Sequence, residues 1–425
     1  MAKKKQQSLQ PTPLVAIDLG SDSVRAMAAE YTDNGMLRIL GVEASGKFPC
    51  VERGIVNNSS NAGFTISETL KLLANRIKVE TLPSAFVCVG GRTMQIVDVF
   101  SKRDQVRKRE VSQELLDEME AECKQKIEAN NPKVAVLDLI PTYFVLDGKE
   151  QDDIPAPEQR AALVETHFTA FVGLRELEQK VLDSFDRSTK HLEHIYVRPD
   201  ALLCALAADE DLPRGCAILD MGAQTTTLTI YKGNQYLCNK VVPQGGYDIS
   251  RDIEAQGMSL PYAEKLKCSY GFASPDMVET NYRMRIPAPA SGGEIVMDTR
   301  EVAAVIAAGL DRILDPVLQV LRDYEDRIGV LYITGGASML QGVEQYIQTK
   351  TGIPVMYGSH AMFLTPDTPD DMCAPVYSSL VGTLLLGANY RANHPEAPLH
   401  APKKGLLDKI KDGTLDIFSA QNDNY

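Results

Sequence analysis

No two cysteines in this chain are spaced as Cys-x-x-Cys. The eight cysteines, at 50, 88, 123, 204, 216, 238, 268 and 373, are scattered through apolar stretches. That excludes a zinc ribbon or a disulfide framework and predicts reduced core thiols in a cytosolic protein. No apolar run approaches the roughly 18–20 residues that span a bilayer. Met1–Pro13 carries three lysines with no apolar stretch behind them. It therefore reads as a disordered arm, not a secretory signal. Positive charge is not in excess either: the net charge of −13 argues against a nucleic-acid partner.

What is present is an ordinary globular composition, 44% hydrophobic and 24% charged. At 425 residues the chain is too long for one core and predicts two to four packed units. Strands and helices alternate, which predicts an α/β protein. Strands are expected at Leu14–Leu19, Ser23–Glu30, Leu37–Glu43 and Ser84–Val89, the last closed by Gly90-Gly91. Ile66–Lys78 has helical spacing, with Leu70, Leu73 and Ile77 on one face. From Arg92 to Phe171 the chain is charge-rich and reads as an inserted subdomain. It has a helix at Ser112–Glu128 and strands at Ala135–Leu139, Tyr143–Leu146 and Ala162–Phe171. A helix at Gly173–Ser184 and a strand at Leu192–Val197 come next. A second unit starts near Gly215. Its long helical tract, Thr299–Tyr324, has Asp298 and Glu301 spaced as a capping box, and Pro316 is expected to kink or divide it.

An internal echo carries the most information. Asp18-Leu-Gly20-Ser21-Asp22-Ser23-Val-Arg25 recurs as Asp220-Met-Gly222-Ala223-Gln224-Thr225-Thr226-Thr227, 202 residues later. Each copy follows a buried strand and leads into another. A duplicated domain around a cleft is the natural reading. Glycine at such a turn lets backbone N–H groups approach phosphate oxygens, and Ser21, Ser23, Thr225 and Thr226 add hydroxyls. Asp18 and Asp220 alone would repel a triphosphate, so a hydrated Mg²⁺ is expected between them. Arg25 supplies a cation beside the phosphates.

Three further segments suit the nucleoside end. Gly245-Gly246 comes after a strand and opens a helix. Ser259 and Pro261 start another helix, with Ser259 expected to cap it and Glu264 and Lys267 on one face toward the ribose and base. Thr334-Gly335-Gly336-Ala337-Ser338 reads as a strand, a tight turn and a helix N-terminus that can pass close to an adenine or α-phosphate.

At these residues the chain resembles the actin, heat-shock chaperone and sugar-kinase superfamily. Asp18–Arg25 looks like its first phosphate motif, Asp220–Thr227 its second, and Leu331–Ser338 its adenosine motif. Tyr196–Ala208, with Pro199, Ala201 and Ala205, looks like its first connecting segment. Within the superfamily the chain is similar to the FtsA family, from about Leu14 to Asn389. The insertion after Gly90-Gly91 and the pattern Gly245-Gly246 with Ala263-Glu264-x-x-Lys267 after it carry that likeness. Arg25, where such loops often hold lysine, and Ala223-Gln224, where a glycine-rich pair is common, depart from it.

The resemblance implies an actin-like ATPase fold: two duplicated α/β lobes around a nucleotide cleft, with an FtsA-type inserted subdomain in the first. The expected domains are 14–91 with 172–214 for the first lobe and 92–171 for the insertion. They continue as 215–249 with 326–389 for the second lobe, 250–325 for its small subdomain, a linker at 390–404 and a tail at 405–425. The resemblance also implies ATP and Mg²⁺ as ligands, at most weak ATPase activity with Asp220 able to position water, and self-association into filaments. It further implies binding of the FtsZ C-terminal tail, with Arg300 as the contact candidate, and placement at the septum on the cytoplasmic face of the membrane. On a helical wheel Leu406, Leu407, Ile410, Ile417 and Phe418 share one apolar face suited to a membrane surface. A net charge of only +1 over 403–416 makes attraction to anionic lipid weak. A pilus- or secretion-type assembly ATPase and a small-molecule kinase of the same superfamily are the alternatives.

Overall fold

Leu14–Leu19 (β1) is apolar at every position but Asp18 and buried along its whole length. A strand that reads this way belongs in the middle of a sheet covered on both faces. It does so in the computed structural model, which describes residues 13–46, 50–152, 154–156, 158–288 and 292–393. β1 turns back through an antiparallel hairpin into Val24–Tyr31 (β2), which pairs with Leu37–Ala44 (β3). A short ribbon, Val51–Glu52 (β4) and Ile55–Val56 (β5), leads to helix Ser59–Ile77 (α1) and then to Ser84–Val89 (β6), parallel to β1.

The insertion is built from Gln95–Glu110 (β7), helix Gln113–Asn130 (α2), Val134–Leu146 (β8), Lys149–Gln151 (β9) and Arg160–Leu174 (β10). The pieces expected at 135–139 and 143–146 are one strand, β8. The sheet runs β7-β10-β8-β9. The charged run 102–110 therefore lies on an edge strand, where charge blocks unwanted pairing. Helix Arg175–Ser188 (α3) starts two residues later than its spacing predicts, because Gly173 and Leu174 still pair with β8. His191–Val197 (β11) completes the first sheet in the order β11-β6-β1-β2-β3.

Helix Arg198–Leu206 (α4) leads into the second half: Cys216–Met221 (β12), Thr226–Lys232 (β13) and Gln235–Val242 (β14). Next come helices Gly246–Glu254 (α5) and Leu260–Tyr270 (α6), the ribbon Arg283–Ala288 (β15) and Gly293–Asp298 (β16), and helix Thr299–Asp323 (α7). Val330–Thr334 (β17), Val343–Thr351 (α8), Val355–Tyr357 (β18) and Ser378–Asn393 (α9) end the described chain. The second sheet runs β14-β13-β12-β17-β18. Strand for strand it repeats the first, with an antiparallel hairpin at its centre and a parallel neighbour on the other side.

α7 is one continuous helix despite Pro316. Both halves of the Asp298–Glu301 capping box form, at 2.9 and 2.8 Å. Val302, Ile306, Leu310, Ile313, Val317 and Leu321 make one fully buried stripe. At about 1.5–3 kcal/mol each, these outweigh the roughly 3 kcal/mol that an internal proline costs. The Arg312 carbonyl that Pro316 leaves unbonded lies at an exposed residue. At α6, Ser259 occupies the N-cap but its side chain makes no capping bond, so Pro261, pre-set for the first turn, carries the start alone.

Two helices cross between the halves. α4 buries Leu202, Ala205 and Leu206 against Cys216, Ile218, Val330 and Tyr332 of the second sheet. α9 buries Leu380, Val381 and Leu384 against Leu14, Ala16, Met27 and Phe86 of the first. α4 and α9 also pack on each other, so the lobes are joined by a helix from each. All eight cysteines are unbridged, but Cys268 is exposed, against expectation. It sits on the cleft side of α6 instead of in the core.

Candidate functional site: a cleft between two hairpins

The tips of the β1–β2 and β12–β13 hairpins face each other across a cleft of about 440 Å³. That lies within the roughly 300–1,000 Å³ typical of small-molecule sites. Asp18 pairs with Arg25 across the first hairpin and Asp220 with Thr227 across the second. Both turns are built alike. A Cβ on Gly20 would come within 2.8 Å of the Ser23 carbonyl oxygen, and one on Gly222 within 2.9 Å of that of Thr225. Only glycine allows so tight a return.

Of the residues expected from the sequence, Asp18, Gly20, Ser21, Asp22 and Arg25 line the cleft from the first hairpin, and Asp220, Gly222, Ala223, Gln224 and Thr225 from the second. Gly246, Glu264, Lys267, Gly335, Gly336 and Ala337 line its other end. Ser23, Thr226, Gly245 and Ser338 do not, and each has another task. Ser23 is buried under the first turn. The Thr226 hydroxyl donates to the Gln244 carbonyl at 3.0 Å. That of Ser338 donates to the Gly335 carbonyl at 2.8 Å. Gly245 lets two loops touch: a Cβ there would lie 2.8 Å from the Ala223 carbonyl carbon. Its neighbour Gly246 donates to the Gly222 carbonyl at 3.0 Å.

The mouth is bridged. The turn between β4 and β5 donates through the Arg53 N–H to Gln224 Oε1 at 2.9 Å, and through the Gly54 N–H to Ser21 Oγ at 3.1 Å. Arg25 lies 3.7 Å from Asp22.

At the far end Glu264 and Lys267 are one turn apart on α6 but do not form a solvated pair. Lys267 Nζ donates to the Gly246 carbonyl at 2.7 Å, to Ser250 Oγ at 2.8 Å and to Glu264 Oε2 at 3.0 Å. Burial pushes the Glu264 carboxyl up, but Ser250 and Lys267 outweigh it and hold it below the usual range. After β17, Gly335 (φ +87°) turns the chain in the left-handed region. It leads into a single 3-10 turn, Gly336–Met339, and α8 begins only at Val343. The helix N-terminus expected directly after Gly335 is absent because Gly342 (φ +76°) bends the chain again first.

Sequence reasoning missed Arg198, the first residue of α4. Its Nη2 bonds Asp18 Oδ1, its Nη1 lies 3.4 Å from Asp18 Oδ2, and the same Nη1 lies 3.7 Å from Asp220 Oδ2. One guanidinium thus holds both cleft aspartates, which are only 3% and 8% exposed. Ser379 Oγ on α9 adds a bond to Asp18 Oδ2 at 3.3 Å. Burial works against the Arg198 charge, but the surrounding negative charges, Asp18 first, more than offset it and hold the group firmly protonated. Burial raises the Asp220 carboxyl, with Arg198 opposing. Gly90 makes room: a Cβ there would sit 3.2 Å from Arg198 Nε. The one available signal was an arginine at the junction of a buried strand and a buried helix.

Where Mg²⁺ was expected between Asp18 and Asp220, the structure places the Arg198 guanidinium. Both oxygens of Asp18, and Oδ2 of Asp220, are engaged by that fixed cation. Among the described residues there is no group of three or more His, Cys, Asp or Glu side chains able to hold a metal ion. Asp220, expected to position water, lines the cleft with its Oδ2 3.7 Å from Arg198 Nη1.

Arg300 stands elsewhere, exposed in the first turn of α7, with its N–H donating to Asn281 Oδ1 at 3.1 Å. Leu406, Leu407, Ile410, Ile417 and Phe418 lie outside the described residues. Among the described residues, no helix is long and apolar enough to cross a membrane.

A family model described as cell division protein FtsA matches residues 217–382. The chain is similar to the cell division protein FtsA of Porphyromonas gingivalis, with 26% identity over 334 residues, covering 78% of this chain and 68% of that one. The FtsA of Enterococcus hirae is 22% identical over 421 residues, covering 97% and 91%. The FtsA of Bacillus subtilis is 24% identical over 346 residues, covering 79% and 76%. Among solved structures, a PilM–PilN type IV pilus biogenesis complex matches with a TM-score of 0.63 at 16% identity, covering 88% of this chain and 98% of that one. MreB5 of Spiroplasma citri, bound to ADP, matches with a TM-score of 0.56 at 13% identity, covering 91% and 99%. The fold is that of the actin-like ATPases.

Proposed function

We propose, from its membership of the FtsA cell-division family with an actin-like fold, that this chain is an ATP-binding adaptor linking FtsZ to the cytoplasmic face of the membrane at the septum. The observation that carries the nucleotide part is the convergence of two like hairpins on one interlobe cleft. Backbone N–H groups at Gly20–Asp22 and Ala223–Thr225 cradle the phosphates. Lys267 and Glu264 face the ribose, and the Gly335–Ala337 turn passes beside the adenine. The actin-like neighbour bound to ADP supports a nucleotide of this class. ATP acts here as a conformational ligand for self-association.

The FtsZ C-terminal tail docks on the small subdomain formed by α5, α6, α7 and the β15–β16 ribbon, with Arg300 pairing with tail carboxylates. The apolar face of the tail segment, Leu406 to Phe418, lies on the membrane, and its weak charge makes filament avidity necessary for firm attachment. Of the alternatives, pilus assembly rests on a fold likeness alone, whereas the sequence relatives are cell-division proteins.

Calorimetry with ATP and a pull-down with an FtsZ tail peptide test the two halves of this reading. Arg300→Glu should weaken peptide binding about tenfold, the size of one lost charged contact, while leaving the melting temperature in place. No ATP binding refutes the first half. Equal capture of FtsZ peptide by wild type and Arg300→Glu refutes the contact. Equal vesicle pelleting of the full chain and of a chain ending at Pro402 refutes the membrane contact.

A further inference from the structure

We propose that Arg198 is a built-in counter-cation, so that this cleft binds a nucleoside triphosphate without a divalent metal. The inference rests on the reading of the cleft as a nucleotide site. Three observations carry it. First, the guanidinium is wedged between the two aspartates at the cleft base and contacts both, with 19% of its side chain left facing the cleft. Second, both oxygens of Asp18 are committed, Oδ1 to Arg198 and Oδ2 to Arg198 and Ser379. With Asp220 Oδ2 paired to the same guanidinium, only Asp220 Oδ1 of the four carboxylate oxygens lies outside these contacts, fewer than the set a hydrated cation needs. Third, the arginine is held in place by the fold. It begins α4, the fixed φ of Pro199 comes directly after it, and it lies on the bare backbone of Gly90.

An arginine kept charged between two carboxylates offers its remaining N–H donors toward the cleft, where they suit a phosphate oxygen. It also cancels the repulsion that two aspartates would exert on a triphosphate. A metal ion would have to displace it and leave a buried guanidinium unpaired, which is costly.

The test is calorimetric titration of the full chain with ATP, once in magnesium buffer and once in excess EDTA. Wild type should bind with dissociation constants equal within about threefold in the two buffers, a difference under 1 kcal/mol. Arg198→Gln, which removes the cation, should lose about tenfold or more in EDTA, the scale of a charge-assisted bond, and recover part of it in magnesium. The proposal is overturned if wild type loses more than tenfold in EDTA. It is also overturned if Arg198→Gln binds as wild type does in EDTA. No binding by wild type in either buffer sinks the nucleotide reading itself, and the inference with it. Should Arg198→Gln fail to fold, the wild-type comparison decides alone.

Discussion

Replacing Gly382 by alanine should destabilise the molecule, although alanine is the better helix former. Gly382 lies inside α9 where that helix crosses α4. A Cβ there would stand 2.5 Å from the carbonyl carbon of Ala201, and nearer still to its oxygen, whereas ordinary contact begins at 3.4 Å. The shortfall is about 0.9 Å at that carbon and larger at the oxygen, both main-chain atoms that cannot rotate away as a side-chain end can. In an exposed helix the substitution would gain up to about 1 kcal/mol. Overpacking costs about 1–3 kcal/mol, and so close a main-chain clash belongs at the upper end, so the net effect is a loss of roughly 2 kcal/mol. Gly387→Ala is the control, since its Cβ would meet only the ring edge of Phe86, at 2.6 Å. Urea unfolding monitored by circular dichroism should rank the midpoints wild type above Gly387→Ala above Gly382→Ala. Because α4 carries Arg198 and α9 carries Ser379, Gly382→Ala should also weaken ATP binding. A Gly382→Ala midpoint equal to wild type would refute the account of how the lobes are joined.

Asp138, on β8, offers a pH test. Burial and the nearby Asp200 push its carboxyl up to about 8, against an ordinary value of 3.8, with Glu120 adding and two backbone bonds opposing. Across that window the native state holds a proton that the unfolded chain has released, so stability falls as pH rises from about 4 to about 8. Asp138→Asn should gain on wild type over the same interval and level off above it, and a pH-independent difference would contradict this. Gly245→Ala should push the second hairpin away through Ala223 and weaken ATP binding at least about tenfold, as loss of the Gly246–Gly222 bond and its neighbours implies; unaltered affinity in calorimetry would show that the two loops need not touch.

The repeat of Asp-x-Gly after two buried strands was enough to read a domain duplicated around a cleft, and the likeness carried by those motifs supplied the fold class. The capping box at Asp298 and Glu301 was equally legible, since both partners lie within one turn. Contacts made far along the chain were not. Arg198 meets Asp18 across 180 positions and Ser379 meets it across 361, and no local pattern records such a meeting. Pro316 misled because propensity is local and the six-residue apolar stripe that overrides it acts through tertiary packing. Thr226 was expected to offer its hydroxyl to phosphate and Ser338 to sit in the adenosine turn, but both hydroxyls are spent on neighbouring carbonyls, which only coordinates reveal.

The bond from the Arg53 N–H to Gln224 ties the rim of one lobe to the loop of the other. A molecule entering or leaving by that mouth meets a barrier raised by whatever this tether holds, of order 1 kcal/mol for a single bond. Since on- and off-rates slow together, residence time lengthens without any gain in equilibrium affinity. A glycine-rich loop, having no amide side chain at that position, would exchange its nucleotide faster.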